Sequence, residues 1–119
     1  MNVLLKRAYQ PAARSDGYRV LIDRLWPRGV SKEQARLDEW AKELAPSTEL
    51  RRWFGHDPAR FETFRRRYRD ELVAQDKKLR ELRKRAREGT LTLVYGAHDN
   101  EHNDAVVLAE LLRRGRRST

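Results

Sequence analysis

The chain has no cysteine, which rules out disulfides, thiolate zinc sites, iron–sulfur clusters and thiol nucleophiles. Any catalysis must use oxygen or nitrogen groups. No stretch approaches the roughly 18 apolar residues of a membrane span, and Met1 to Gln10 lacks the apolar centre of a signal peptide. The sequence therefore reads as a soluble cytoplasmic protein with no membrane partner. Glycine-rich nucleotide loops, the G-x-S-x-G elbow and zinc-finger spacings are also missing, so the common nucleotide and hydrolase templates do not apply and no cofactor is indicated. There is no internal repeat, low-complexity segment or linker. At 119 residues the chain fits one domain, residues 1–119, with 115–119 expected to be a frayed tail.

What is abundant is positive charge. The formal net charge is +9, and the excess is concentrated in residues 51–89, where 14 basic residues face 7 acidic ones. Such an excess can steer anions or supply phosphate contacts, and it can equally be a solvated helix face in an arginine-rich protein.

Two short runs near the amino terminus, Val3 to Arg7 and Tyr18 to Asp23, suit strands, and Thr90 to Tyr95 is the clearest strand of all. Pro11 and the Asp16-Gly17 pair supply turn chemistry between the first two. Those two strands are expected to be parallel, with a third lying between them; a hairpin is the alternative. Ser31 and Gln34 form a capping-box signature for a short helix from Lys32. A small helix after Asp38, carrying Trp40 and Leu44, must stop before Pro46. Ser47 opens the next helix, which places Leu50, Trp53 and Phe54 on one face and ends at Gly55.

Asp57-Pro58 begins an amphipathic helix with Phe61, Phe64, Tyr68 and Leu72 inward, and Asp76 can cap a further one ending at Gly89. A continuous helix from Ala59 to Arg87 is the alternative. Glu101 to Arg114 reads as the last helix. The expected fold is α/β: a small, mainly parallel sheet of three or slightly more strands, flanked by helices.

The second and third strands both run into polar residues, Asp23, Arg24, Trp26, Pro27 and Arg28 in one case and the stretch His98 to Asp104 in the other. Open α/β sheets bind ligands outside the carboxyl ends of their strands, so these two ends suggest one site. Arg24 and Arg28 suit a phosphate or carboxylate, because guanidinium matches either group bidentately. Asp23 and Arg24 alternate in direction if the strand continues through them. A salt bridge of Asp23 with Arg19 or Arg28 competes with the ligand reading. Asp99 or Asn100 can cap the last helix, and Asp99 with His102 can orient a ligand or transfer protons. His98 and His102 are four residues apart, but without a third close ligand they do not amount to a metal site. Trp26, Trp40 and Trp53 read most economically as core residues with bonded N–H groups.

D-G-Y-R-V-L-I-D-R-L-W-P-R-G, then A-P-S-T-E-L-R-R-W-F-G-H-D-P, then L-T-L-V-Y-G-A-H-D-N-E-H-N-D-A-V-V-L-A, in this order and over nearly the whole chain, resemble the YeaO-like branch of a bacterial domain-of-unknown-function family. The resemblance implies a compact α/β domain with a small parallel sheet. It also places Arg19, Asp23, Arg24, Trp26, Pro27, Arg28, Ser47, Trp53, His56, Tyr95, Asp99, His102 and Asn103 on motif positions. The chain departs from the family pattern at His98, where a basic residue is usual, and at Asp104, the third position of a stretch that reads H-N-H in many relatives.

The leading expectation is a domain that binds an anionic, phosphate-like or nucleotide-like small molecule, with Asp23, Arg24, Arg28 and Asn103 as binding residues and Asp99 and His102 as candidates for catalysis. The alternative is a nucleic-acid-binding module using Arg65, Arg66, Arg69, Lys77, Arg80 and Lys84 on the helices of residues 58–88. A third reading is a non-enzymatic interaction protein whose tryptophans form part of an oligomer surface.

Overall fold

A computed structural model describes residues 1–114. The expected frayed tail, 115–119, lies outside the described residues. Four strands, β1 (Asn2–Arg7), β2 (Tyr18–Leu21), β3 (Glu39–Trp40) and β4 (Thr90–Tyr95), form one parallel sheet in the order β1-β4-β2-β3. β4 is central and pairs Leu91 with both Val3 and Tyr18. Leu91 to Tyr95 are all buried, as a strand covered on both faces requires. The expected insertion of a strand between the first two is therefore met by β4. Gly17 makes the turn into β2 at φ +64°, where a Cβ would lie 2.2 Å from the Thr90 carbonyl oxygen. Only glycine fits there.

The helices are α1 (Lys32–Ala35), α2 (Thr48–Phe54), α3 (Phe61–Leu72), α4 (Asp76–Glu88) and α5 (Asp104–Arg114). Val20, Ile22, Leu91, Leu93 and Tyr95 project to the face covered by α2 to α5, where the main core lies. Leu21 and Val94, one residue out of phase, meet a thinner layer of Ala8, Leu37, Trp26 and Trp40 on the other face. An aromatic row binds α2 to α3: Phe54 stacks on Phe64 at 4.4 Å, and Phe64 on Tyr68 at 5.5 Å.

Two local expectations are corrected, and the alternative of one continuous helix after Asp57 is excluded. The segment after Asp38 is a two-residue strand followed by a 3-10 turn, Lys42–Leu44, in place of a helix. The Asp38 carboxylate accepts the Arg19 amide at 2.8 Å, and the Trp40 indole donates to the Asp23 carbonyl at 2.7 Å, which holds the segment extended beside β2. The residues after Asp57 form two helices. A continuous helix from Ala59 to Arg87 would run to about 43 Å, longer than the 37 Å greatest extent of the molecule. A 3-10 turn at Val73–Gln75 breaks it and lets both Leu72 and Leu79 reach the core. The last helix begins at Asp104, three residues later than its acidic lead-in suggests, because Asn103 caps it.

The tryptophans are also only partly buried. Trp26 and Trp40 pack edge to face at 5.4 Å, and their indoles donate to the Val30 and Asp23 carbonyls. Trp53 lies beneath the guanidinium groups of Arg60 and Arg67.

Candidate functional site

β2 loses its pairing just beyond Ile22, whose N–H donates to the Val94 carbonyl, and the chain then bends through Asp23, Arg24 and Leu25. Strand alternation stops at that point. Asp23 and Arg24 consequently line the same cavity, contrary to the alternation expected of a continuing strand. The cavity, about 510 Å³, opens at the carboxyl ends of β2 and β4 and has the size of a small-molecule site. Gly96, Ala97 and Asp99 border it from the β4 side, Asn103 and Asp104 from the start of α5, and Arg51, Phe54 and His56 from the end of α2.

Local chemistry explains these placements. Ser47 caps α2 by accepting the Leu50 amide, and its own amide and hydroxyl both donate to Glu71 of α3, fixing the helix against its neighbour. α2 ends at Gly55 in the left-handed conformation, and His56 follows at φ +57°. A non-glycine residue there is uncommon, and it turns the chain so that His56 borders the cavity.

The cavity floor holds a carboxyl pair. The Asp23 and Asp104 side chains are hydrogen-bonded to each other, and the Gly96 amide donates to Asp23 Oδ2 at 2.8 Å. Burial raises Asp104 well above the usual carboxylate range, and the Asp23 charge adds to the rise. Burial also raises Asp23, but the bond from Asp104, the Gly96 amide and the nearby charges of Arg51 and His56 oppose it. Burial and mutual repulsion thus push both carboxyls upward, Asp104 the further. Tyr68 lies close behind, pushed well above its ordinary value by burial and by both carboxyls, with its hydroxyl donated to the Leu44 carbonyl.

The other expected site residues divide. Arg24 is exposed at the cavity and donates to the Pro46 carbonyl at 3.4 Å. Arg28 is exposed outside it, because the Pro27–Val30 turn, with Gly29 at φ +80°, carries it away. The expected Asp23–Arg28 and Asp23–Arg19 bridges are absent among the described residues; Arg19 pairs with Asp16 at 2.7 Å. Asp99 borders the cavity, but Oδ1 accepts the Glu101 and His102 amides, and Oδ2 lies 2.9 Å from His102 Nδ1. The Glu101 amide and His102 together hold its carboxyl below the usual range. His102 is one contact removed from the cavity, edge-on to Phe61 at 5.2 Å. Asn103 is buried and internally engaged: its Nδ2 donates to the Asp99 carbonyl, and its Oδ1 accepts the Val106 amide. His98 approaches Arg7 Nη2 at 3.3 Å, and among the described residues no three His, Asp or Glu groups converge as for a metal.

Arg51 and Asp104 were the hardest to find in sequence, whereas His56 already stood on a motif position. Arg51 reads as solvent-facing on α2, and Asp104 as one more acid in an acidic loop. The available signal was that two apolar strands each end near an aspartate.

Residues 2–118 match the family described as the "Inactive DUF488-N3 subclade". The chain belongs to that subclade. It is 48% identical over 113 residues to the uncharacterized protein YeaO of Escherichia coli K12, covering 95% of this chain and 98% of the relative. It is 42% identical over 111 residues to an uncharacterized protein of Mycobacterium tuberculosis H37Rv, covering 93% of each. No solved structure is significantly similar. The YeaO-like resemblance read from the three sequence stretches is thus established for essentially the full chain, and the subclade's description enters the functional question directly.

Of the helical basic residues, Arg65 bonds Glu62 and Glu110, Arg69 bonds Glu110, and Arg80 pairs with Asp76. Arg66, Lys77 and Lys84 are exposed and carry no ion pair among the described residues.

Proposed function

We propose that this protein binds an anionic small molecule in the cavity at the carboxyl ends of β2 and β4, with Arg24 and Arg51 receiving the anion at the mouth. The observation that carries the reading is a cavity of about 510 Å³ that brings two exposed guanidinium groups, Phe54 and Phe64 to one opening. Guanidinium supplies paired donors for phosphate or carboxylate, while the phenyl rings supply apolar wall area. The description of the subclade as inactive favours binding without turnover. Asp99 and His102 then serve to shape the loop that leads into α5, since the Asp99 carboxylate is already engaged by His102 Nδ1 and by the Glu101 and His102 amides.

The nucleic-acid reading is weaker, because Arg65, Arg69 and Arg80 are neutralised by acidic partners. Thermal-shift measurements with inorganic phosphate, nucleoside monophosphates, sugar phosphates and short oligonucleotides test both. A ligand at 100 times its Kd stabilises the fold by about 2.7 kcal/mol. The expected result is a shift with a small anion that is lost in the Arg24→Ala, Arg51→Ala double variant. A shift with oligonucleotides alone, or one untouched by the double variant, overturns the proposal.

A further inference from the structure

Most of the polar groups that line the cavity at the carboxyl ends of β2 and β4 already have partners. Asp23 and Asp104 bond each other, and Asp23 Oδ2 takes the Gly96 amide. Asn103 is engaged at both ends of its side-chain amide, and the Asp99 carboxylate is held by His102 and two backbone amides. The backbone is occupied in the same way. The Ala97 and Gly96 carbonyls accept from the Arg7 guanidinium at 2.8 and 3.5 Å, and His98 Nδ1 lies 3.3 Å from the same group. Among the described residues the side chains of Arg51 and His56 have no hydrogen bond, and Arg24 has only its long one to the Pro46 carbonyl. The rest of the lining is hydrocarbon, from Leu25, Ala45, Pro46, Phe54, Phe64 and Ala97. Leu25 is 60% exposed. An exposed leucine by itself is ordinary, but this one continues an apolar wall out toward solvent.

We infer that the anion bound in this cavity has a hydrocarbon body, aryl or alkyl, without further polar groups, and that Leu25 packs against that body. The ligand class is an organic acid of this kind, a carboxylate or a phosphate monoester. Its head group takes the donors that lack close partners, those of Arg24, Arg51 and His56, since an imidazole carries at least one N–H. Its body takes the apolar wall, where it leaves water without displacing any existing hydrogen bond. A sugar of the same size meets the reverse condition. Each hydroxyl gives up water and then competes for an acceptor that already has a donor, or goes unpaired. A cavity of about 510 Å³ has the size of a small organic molecule and leaves room beyond the head group. Head-group binding is the proposed anion site itself, on which this reading rests; selection of the body comes from the walls alone.

Isothermal titration of the whole chain with phenyl phosphate, hexyl phosphate, benzoate, ribose 5-phosphate, inorganic phosphate and phenol tests the inference. Phenyl phosphate is expected to bind about ten- to a hundredfold more tightly than ribose 5-phosphate or inorganic phosphate, the scale of taking a phenyl-sized group out of water. Its binding should carry a negative heat-capacity change. Leu25→Ser, at an exposed position that leaves the core intact, should cut the preference by about threefold or more while leaving inorganic phosphate affinity within about twofold of wild type. Hexyl against phenyl phosphate distinguishes chain from ring, and benzoate against phenyl phosphate distinguishes the two head groups. Ribose 5-phosphate binding as tightly as phenyl phosphate, or an unchanged ratio in Leu25→Ser, overturns the inference. If in that case both ligands lose binding in the Arg24→Ala, Arg51→Ala double variant, the anion site stands without it. If phenol binds as tightly as phenyl phosphate and weakens in Leu25→Ser, the anion reading fails while the role of the apolar wall stands. If nothing binds, both fail.

Discussion

Two aspartates show how one residue type acquires opposite roles. Asp104 holds its proton because burial and Asp23 disfavour its charge. A carboxyl whose folded pKa is raised contributes stability that is present below its unfolded value and lost as pH rises through the folded value. Urea unfolding of wild type should therefore show stability falling from mildly acidic to alkaline pH through this pair. Asp104→Asn should flatten the fall, matching wild type near pH 4 and exceeding it near pH 8. Asp16 has the opposite sign. Burial pushes it up, but the Ala13 amide, Lys6 and Arg19 outweigh burial and hold it low, so its contribution is lost as pH falls. Asp16→Ala would leave Arg19, whose side chain is 4% exposed, without its carboxylate, and should destabilise the fold by about 3 kcal/mol or more in the same measurement.

At the scale of elements, the site depends on where helices start and stop. Asn103 begins α5 through its bond to the Val106 amide, so Asn103→Ala should cost about 1 kcal/mol in chemical denaturation. Asn103→Asp keeps an acceptor for that amide but sets a buried carboxylate oxygen against the Asp99 carbonyl, and should cost more. α2 is fixed by Ser47 at one end and turned by Gly55 and His56 at the other. Replacing Gly17 tests the sheet in the same way. Gly17→Ala puts a methyl against the Thr90 carbonyl at a φ that disfavours it, and should destabilise by well over about 1 kcal/mol.

Over the whole molecule, the helix layer that covers the sheet also walls the cavity. Phe64 is 1% exposed, packs within the aromatic row and borders the cavity. Phe64→Ala should cost about 3–5 kcal/mol and lower Tm by about 10 °C or more, read by thermal denaturation. The net +9 already counts every acidic residue, so the ion pairs of α3, α4 and α5 decide only which cations are engaged and leave Arg66, Lys77 and Lys84 unpaired among the described residues. Any oligonucleotide binding should accordingly be weak, fall steeply with salt, and depend on Arg66, Lys77 and Lys84 more than on Arg65 and Arg69.

The α/β class, three of the four strands, most helix starts and the place where the cavity opens were legible from the sequence. Each depends on nearby residues: apolar runs, caps such as Ser31 and Ser47, and polar groups immediately beyond Ile22 and Tyr95. What only tertiary structure decided depends on residues far apart in the chain. Trp40 is extended because its indole finds the Asp23 carbonyl, 17 residues back. Arg28 leaves the site because of a turn, and Arg51 joins it because α2 ends against the start of α5. The carboxyl pair is the clearest case. Asp23 and Asp104 are 81 positions apart, and no local pattern marks either as the other's partner. Their meeting requires β4 to lie beside β2 and α5 to begin directly above both strand ends, a condition set by packing and topology.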